Sequence, residues 1–352
     1  MPLVSIGFPV YNGAQFLRRA LDSIVTQDYT NLEIIISDNA STDETFQICH
    51  EYAEKDTRIN CTQLNDNIGA TNNLNRVIAQ STGKYFMRMS DDDVRAPSYI
   101  SKCVALLEAN DQAVLSHSYT GAFYGEMDNV LSVLTHDSME NIHSPGKRFV
   151  EAIKNLPASA IDGIIRMETL KTKAREMGDY ISADIVLTGE LSLHGEFVQV
   201  PEILFWRSGK KVLPGPKAIH GIYKIGKKRT MFHYPFLTLI AQHIKSIFRS
   251  PIPATTRPLL VIALLLNEMK LVFAKLLFRT GTALFASNCP NLLITTAVAI
   301  VNGNPNVRLQ KPFNELPPAL LPTWKLLNHR DMDAAISLQE ALIKKHFPAT
   351  DQ

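Results

Sequence analysis

The sequence predicts an α/β fold, a mostly parallel sheet with flanking helices, followed by a C-terminal helical region. Two observations predict it. Short apolar, β-rich runs alternate with segments of helical spacing over the first 118 residues. That alternation implies right-handed crossovers onto a mostly parallel sheet. Beyond Thr230 the pattern turns helical, interrupted at Pro251, Pro253, Pro258 and Pro290.

Each element has its own signal. Leu3 to Phe8 is a short β-rich run. Gln15 to Thr26 places Phe16, Ala20, Leu21, Ile24 and Val25 on one helical face. Leu32 to Ser37 reads as a buried strand. Ser41 and Glu44 form a capping box for the next helix, each able to satisfy the other's free backbone donor. Ile59 to Leu64 is a weaker strand. Asn72 to Gln80 is helical and Gly83 closes it. Tyr85 to Met89 is a strand, Tyr99 to Ala109 a helix, Ala113 to Ser118 a strand. From Gly121 to Ser144 the pattern weakens into an irregular excursion or a hairpin. Lys147 to Leu156 is helical, Asp162 to Arg166 short and apolar, Ala183 to His194 helical. Phe197 to Trp206 is strand-like, and Pro201 makes it an edge or splits it. Lys210 to Lys228 is a linker rich in Gly, Pro and Lys. The expected divisions are 1–118, 119–209, the basic linker 210–229 and the helical region 230–352.

The 352 residues and 45% hydrophobic content suffice for a large core. Net charge is +2, without the clustered basic excess of a nucleic-acid binder. Cys49, Cys61, Cys103 and Cys289 have no C-x-x-C spacing, so neither a zinc site nor a disulfide framework is expected. A reducing compartment, the cytoplasm, fits. No signal peptide is visible at the N-terminus. The most apolar stretch, Leu259 to Leu266, falls short of the ~18 uninterrupted apolar residues of a membrane span.

In an open α/β sheet, ligands bind beyond the carboxyl ends of the strands. Here those ends carry Pro9-Val-Tyr-Asn12, then Asp38, then Asn65-Asp-Asn-Ile-Gly69, then Ser90-Asp-Asp-Asp93. Adjacent aspartates repel unless something positive joins them. Mg²⁺ or Mn²⁺ does so, sharing hard oxygen ligands with substrate phosphates. A solvated acidic turn is the plain alternative. Asp38 could grip a ribose hydroxyl or serve as a turn residue. Gly69 could let a phosphate approach the backbone or be an ordinary loop glycine.

The runs Val4 to Asn12, Leu32 to Asp43, Asn67 to Asn73 and Gly83 to Asp93, in this order, resemble glycosyltransferase family 2, inverting enzymes of the GT-A fold. The resemblance covers Pro2 to Arg207. It implies that Pro9, Tyr11, Asn12 and Asp38 hold the nucleoside. It puts Asn67, Gly69 and Asn73 near base and ribose. Asp92 becomes the chief metal ligand, with Asp93 in support and Asp91 toward the ribose. Ser90 stands where many relatives carry Asp. Ser182-Ala-Asp184 resembles the position of the catalytic base, and Val200 to Arg207 a segment that follows it. Gly209 stands where many relatives carry a metal-side His, and His220 is one group that could replace it.

The reaction so implied moves a sugar from a nucleoside-diphosphate donor, expected to be a UDP-sugar, to a glycan or lipid-linked acceptor hydroxyl. Asp184 would take the acceptor proton, worth ~10²–10⁴-fold. Mn²⁺ or Mg²⁺, with Arg207, would offset charge on the departing diphosphate. An N-cap is the ordinary alternative for Asp184. Basic and apolar residues after Thr230 allow contact with the inner face of a membrane, or packing on the catalytic half, or a homodimer. A catalytically inactive sugar-nucleotide or glycan-binding relative is the alternative function. A dehydrogenase is disfavoured, because only Gly13 stands where G-x-G-x-x-G would be needed.

Overall fold

The computed structural model describes residues 1–124, 126–134, 139, 141–155, 160–174, 176–180, 182–208 and 235–269. These all belong to one compact unit, Met1–Met269; Lys270–Gln352 forms a second. The expected linker with Gly209 and His220, and the helical patterns beyond residue 269, lie outside the described residues.

Chain order begins with β1 (Val4–Val10), α1 (Ala14–Val25), β2 (Leu32–Asp38), α2 (Thr45–Lys55) and β3 (Ile59–Gln63). There follow α3 (Ala70–Gln80), β4 (Tyr85–Arg88), β5 (Val94–Arg95), α4 (Tyr99–Ala109), β6 (Ala113–Tyr124) and β7 (Glu126–Leu134). The second half holds α5 (Pro145–Asn155), β8 (Ile164–Arg166), α6 (Ala183–His194) and β9 (Glu196–Ser208). Two more helices follow, α7 (Pro235–Arg249) and α8 (257–269).

The sheet order is β3-β2-β1-β4-β8-β6-β9-β5, with β7 paired to β6. Its first four strands are parallel. The second half is mixed: β8 runs antiparallel to both β4 and β6, whereas β9 is parallel to β6. The weak pattern after Gly121 is a hairpin, β6–β7, with register shifts near its turn. Pro201 sits where the β6–β9 register jumps, Ser118 facing Val200 and Tyr119 facing Ile203. The strand thus accommodates a residue without an N–H by bulging.

Strand alternation divides the core. Ile34 and Ile36 face one side, packed with Leu17, Leu21 and Ile24 of α1. Ile35 faces the other, with Leu74 and Val77 of α3 and Leu187 and Leu191 of α6. Burying each such side chain contributes about 1.5–3 kcal/mol. A third cluster joins Phe149 and Ile153 of α5 to Leu193, Ile247, Leu260 and Leu264.

The capping box is not formed. The helix begins at Thr45, and Asp43, not Ser41, accepts its N–H, at 3.0 Å. Ser41 instead donates its hydroxyl to Asp38. The Oγ acceptor side that a capping box would use takes the Asn12 amide instead, at 2.9 Å.

Candidate active site

The carboxyl ends of the parallel strands are tied into one rim by side chains in the connecting loops. Asn12 adopts φ 51°, and its Oδ1 accepts from the Thr42 amide at 2.9 Å. The Asn12 amide donates to Ser41 Oγ at 2.9 Å. Gly13 and Ala14, opening α1, donate to Thr45 Oγ1 and Asp43 Oδ2. These contacts join the β1 loop to the β2 loop. Asp38 accepts from Gln63 Nε2 at 2.9 Å, and Asn39 donates to Asn67 Oδ1 at 3.0 Å. Those join β2 to β3. Asn67 Oδ1 also accepts from the Gly69 amide at 2.8 Å, holding Gly69 at φ 89°, a conformation that favours glycine.

The acidic run closes against this rim. A Cβ on Gly13 would lie 2.3 Å from Asp91 Oδ2. Glycine is therefore needed there for the β4 loop to rest on the start of α1. Asp92 and Asp93 are both buried. Asp93 Oδ1 accepts from the Ser208 amide at 3.2 Å, at the end of β9. Burial pushes the Asp93 carboxyl up to about 7; Asp162 and Asp92 add to this, and Arg95 and Arg207 oppose it. Arg207 thus lies within electrostatic reach of the acidic run.

Three residues that the motifs did not single out complete the site. Arg88, the last residue of β4, donates from Nε to Asp162 Oδ1 at 2.8 Å, with a shorter second contact from Nη2. Asp162 is buried. Desolvation pulls the Arg88 guanidinium pKa down, but Asp162 most strongly, then Asp184 and Asp93, raise it above its ordinary value. Arg95, buried over the Phe205 ring at 3.5 Å, donates to the Asp162 carbonyl at 3.0 Å. The part-buried Arg88 guanidinium thus lies in the field of Asp93 and of Asp184 together.

Asp184 occupies the first turn of α6. The residue at the N-cap is Ser182, at φ 65° and without a side-chain cap bond. Asp184 Oδ1 accepts from the adjacent Ile185 amide at 3.0 Å. It is not an N-cap residue. Asn12 and Ala40, in the β1 and β2 loops, and Ser182 ahead of α6 have positive φ, as does Asn141 before α5. In residues other than glycine such backbone strain concentrates at functional sites.

Not every predicted residue faces outward. Tyr11 is 46% exposed, whereas Asp38 and Asn73 are fully buried. Asn73 donates to the Ser37 carbonyl at 2.8 Å and so holds α3 to β2. Pro9 lies within β1, opposite Ser37. Trp206 is buried, its ring stacked on Gly121, which makes it a packing residue. A cavity of about 230 Å³ adjoins α6, lined by Glu176, Tyr180, Leu187, Glu190 and Gln242 among others. None of the rim carboxylates lines it.

Among the described residues, no three His, Cys, Asp or Glu side chains converge as a self-sufficient metal site. Asp92 and Asp93 fit a different kind of site. Mg²⁺ and Mn²⁺ commonly take one or two carboxylates and complete their shell with substrate phosphates and water.

A parallel half-sheet whose carboxyl rim carries carboxylates and amides, continued by a mixed half that brings in Asp162 and Asp184, has the GT-A type of α/β architecture. Residues 5–173 match the family model of glycosyl transferase family 2. An uncharacterized glycosyltransferase of Haemophilus influenzae is 41% identical over 118 residues, which are 34% of this chain and 36% of the relative. Glycosyltransferase GlyG of Streptococcus pneumoniae is 29% identical over 126 residues, 36% of this chain and 41% of its own. The matches span well under half of these relatives' lengths. The fold also resembles that of S. aureus TarS 1–349, solved in complex with UDP-GlcNAc, at TM-score 0.56 and 16% identity over 76% of this chain and 72% of that one. A mannosyltransferase from Pyrobaculum calidifontis, solved with GDP-Man and Mn2+, aligns at TM-score 0.50 and 17% identity over 86% and 79%.

Proposed function

We propose that the chain transfers a sugar, with inversion, from a nucleoside-diphosphate donor to a hydroxyl of a glycan or lipid-linked acceptor. The observation that carries this reading is the run of charge from buried Asp92 and Asp93 through part-buried Arg88 to its partner Asp162 and to Asp184. Asn12, Asp38, Asn67 and Gly69 order the loops against which the nucleoside rests. Pro9 and Tyr11 supply apolar contact, and Asp91 approaches the ribose. A divalent cation on Asp92 and Asp93 would neutralise charge developing on the diphosphate. Arg207 acts on that same charge. Asp184 receives the acceptor proton, with the Arg88 guanidinium within electrostatic reach of it. The α6 cavity supports an acceptor path along that helix. UDP is the expected nucleotide, and it suits the reading that the similar TarS structures were solved with UDP and UDP-GlcNAc.

The test is nucleotide release from UDP- and GDP-sugars in the presence of Mn²⁺ and extracted glycan or polyprenyl-linked acceptors. The reading predicts release that needs both metal and acceptor. Donor binding without release, across all acceptors, would favour a non-catalytic binding protein instead.

A further inference from the structure

The last two described helices carry a face that is polarised the wrong way for water. On α8 the inward positions are Leu260, Leu264 and Glu268. The outward positions Leu259, Ile262, Leu265, Leu266 and Met269 are 40–65% exposed. They recur at the three- and four-residue spacing of one helical face. A surface helix ordinarily turns its polar side outward; α8 turns out a continuous apolar stripe and buries its carboxylate.

The neighbouring end of α7 extends this face. Phe248 is exposed, between exposed Lys245 and Arg249. Arg257, opening α8, lies over the Phe248 ring at 6.0 Å. Between residues 235 and 269 the formal charges are Lys245, Arg249, Arg257 and the buried Glu268. Every formal charge left at the surface of this segment is positive. An apolar stripe whose own two helices expose only cations matches an anionic lipid surface. A second copy is a poorer occupant, because a two-fold contact would bring the same cations toward one another. No described helix is long and apolar enough to cross a membrane, so the contact lies along its surface.

We propose that the α7–α8 face docks on an anionic bilayer, with Phe248, Leu259, Ile262 and Leu266 in the acyl boundary and Lys245, Arg249 and Arg257 on lipid phosphates. Docking needs neither donor nor acceptor, so its test is independent of the transfer reading.

The test is flotation of the full chain with phosphatidylcholine vesicles, with and without phosphatidylglycerol. The protein is expected to float with the anionic vesicles and to be released by salt. The L259E/I262E double variant should keep the wild-type melting temperature and lose at least about tenfold in binding. K245Q/R249Q should lose about 25-fold, on the order of fivefold for each cation. Three results would overturn the proposal. One is no flotation of the wild type. A second is flotation of L259E/I262E equal to wild type, which would put the contact elsewhere in the chain. The third is a wild-type dimer that L259E/I262E converts to monomer with no lipid binding by either, which would assign the face to a second copy.

Discussion

The two ends of the same parallel strands treat charge in opposite ways. At the amino end, Glu33 is the second residue of β2, and its carboxylate accepts from the Thr82 and Gly83 amides and from the Ser5 and Thr82 hydroxyls. Desolvation works to raise its pKa, but those hydrogen bonds together hold it below the ordinary value. Nearby, Lys84 pairs with Glu108, and Arg166 spans the Ala113, Leu107 and Asn110 carbonyls. At the carboxyl end, Asp93 is held up at about 7, and the Nε and Nη1 of buried Arg95 make no hydrogen bond among the described residues. The positive-φ residues Asn12, Ala40 and Gly69 sit at that end too. One end has satisfied its charges locally, as a purely structural edge should. The other keeps charges in tension, as a site awaiting a charged ligand should.

This contrast can be broken by substitution, and the largest effect should come at the carboxyl end. Asp184→Asn should lower turnover by ~10²–10⁴-fold with nucleotide affinity retained. Steady-state rates and nucleotide titration of the same variant check both halves of that statement, and a parallel loss of affinity would contradict the role. Next comes Arg88→Met, which strands Asp162 as a buried charge. Breaking such a pair costs about 3–5 kcal/mol, read by urea unfolding. Adding Asp162→Leu should recover most of the loss; if it does not, the pair is not the source of the cost.

Gly13→Ala should cost less, about 1–3 kcal/mol of overpacking, because the new methyl meets the Asp91 carboxylate. The effect should emerge mainly as weaker nucleotide binding, since the acidic loop gives way before the sheet does. Unchanged affinity would show that the loop moves freely.

The smallest effect belongs to the amino end. Because the folded Glu33 pKa is depressed, its contribution to stability is present above the unfolded value of about 4.3 and disappears as pH falls through the folded value. Glu33→Gln should flatten the acid limb of stability, by no more than about 1 kcal/mol for a part-exposed group. Melts across the acid range, wild type against variant, read that difference.

The sequence made some of this legible and hid the rest for a physical reason. Alternating strands and helices, the acidic run and the helix at Ala183 are local patterns, and each was readable from spacing alone. Arg88 and Asp162 were not, because their encounter depends on β4 pairing antiparallel with β8, Met87 opposite Ile164. A lone Arg ending a strand and a lone Asp before a short one carry no signal until that pairing is known. Ser41 misled for the opposite reason. Its local motif is a good helix cap, but its Oγ accepts the Asn12 amide from the β1 loop and its hydroxyl donates to Asp38. Asn73 and Asp38 lie within the motif, yet their burial gives them a role in holding loops and helices that spacing does not disclose.

The most direct test of the central claim is the melting temperature of the wild type and Asp92→Asn with UDP, GDP, dTDP and CDP, each with and without Mn²⁺. A ligand at a hundred times its Kd stabilises by about 2.7 kcal/mol. In a domain of this size that is roughly 5–10 °C. The account predicts such a rise for one nucleotide, dependent on Mn²⁺ and absent in Asp92→Asn. No rise with any nucleotide in a folded sample, or an equal rise in Asp92→Asn, would contradict it.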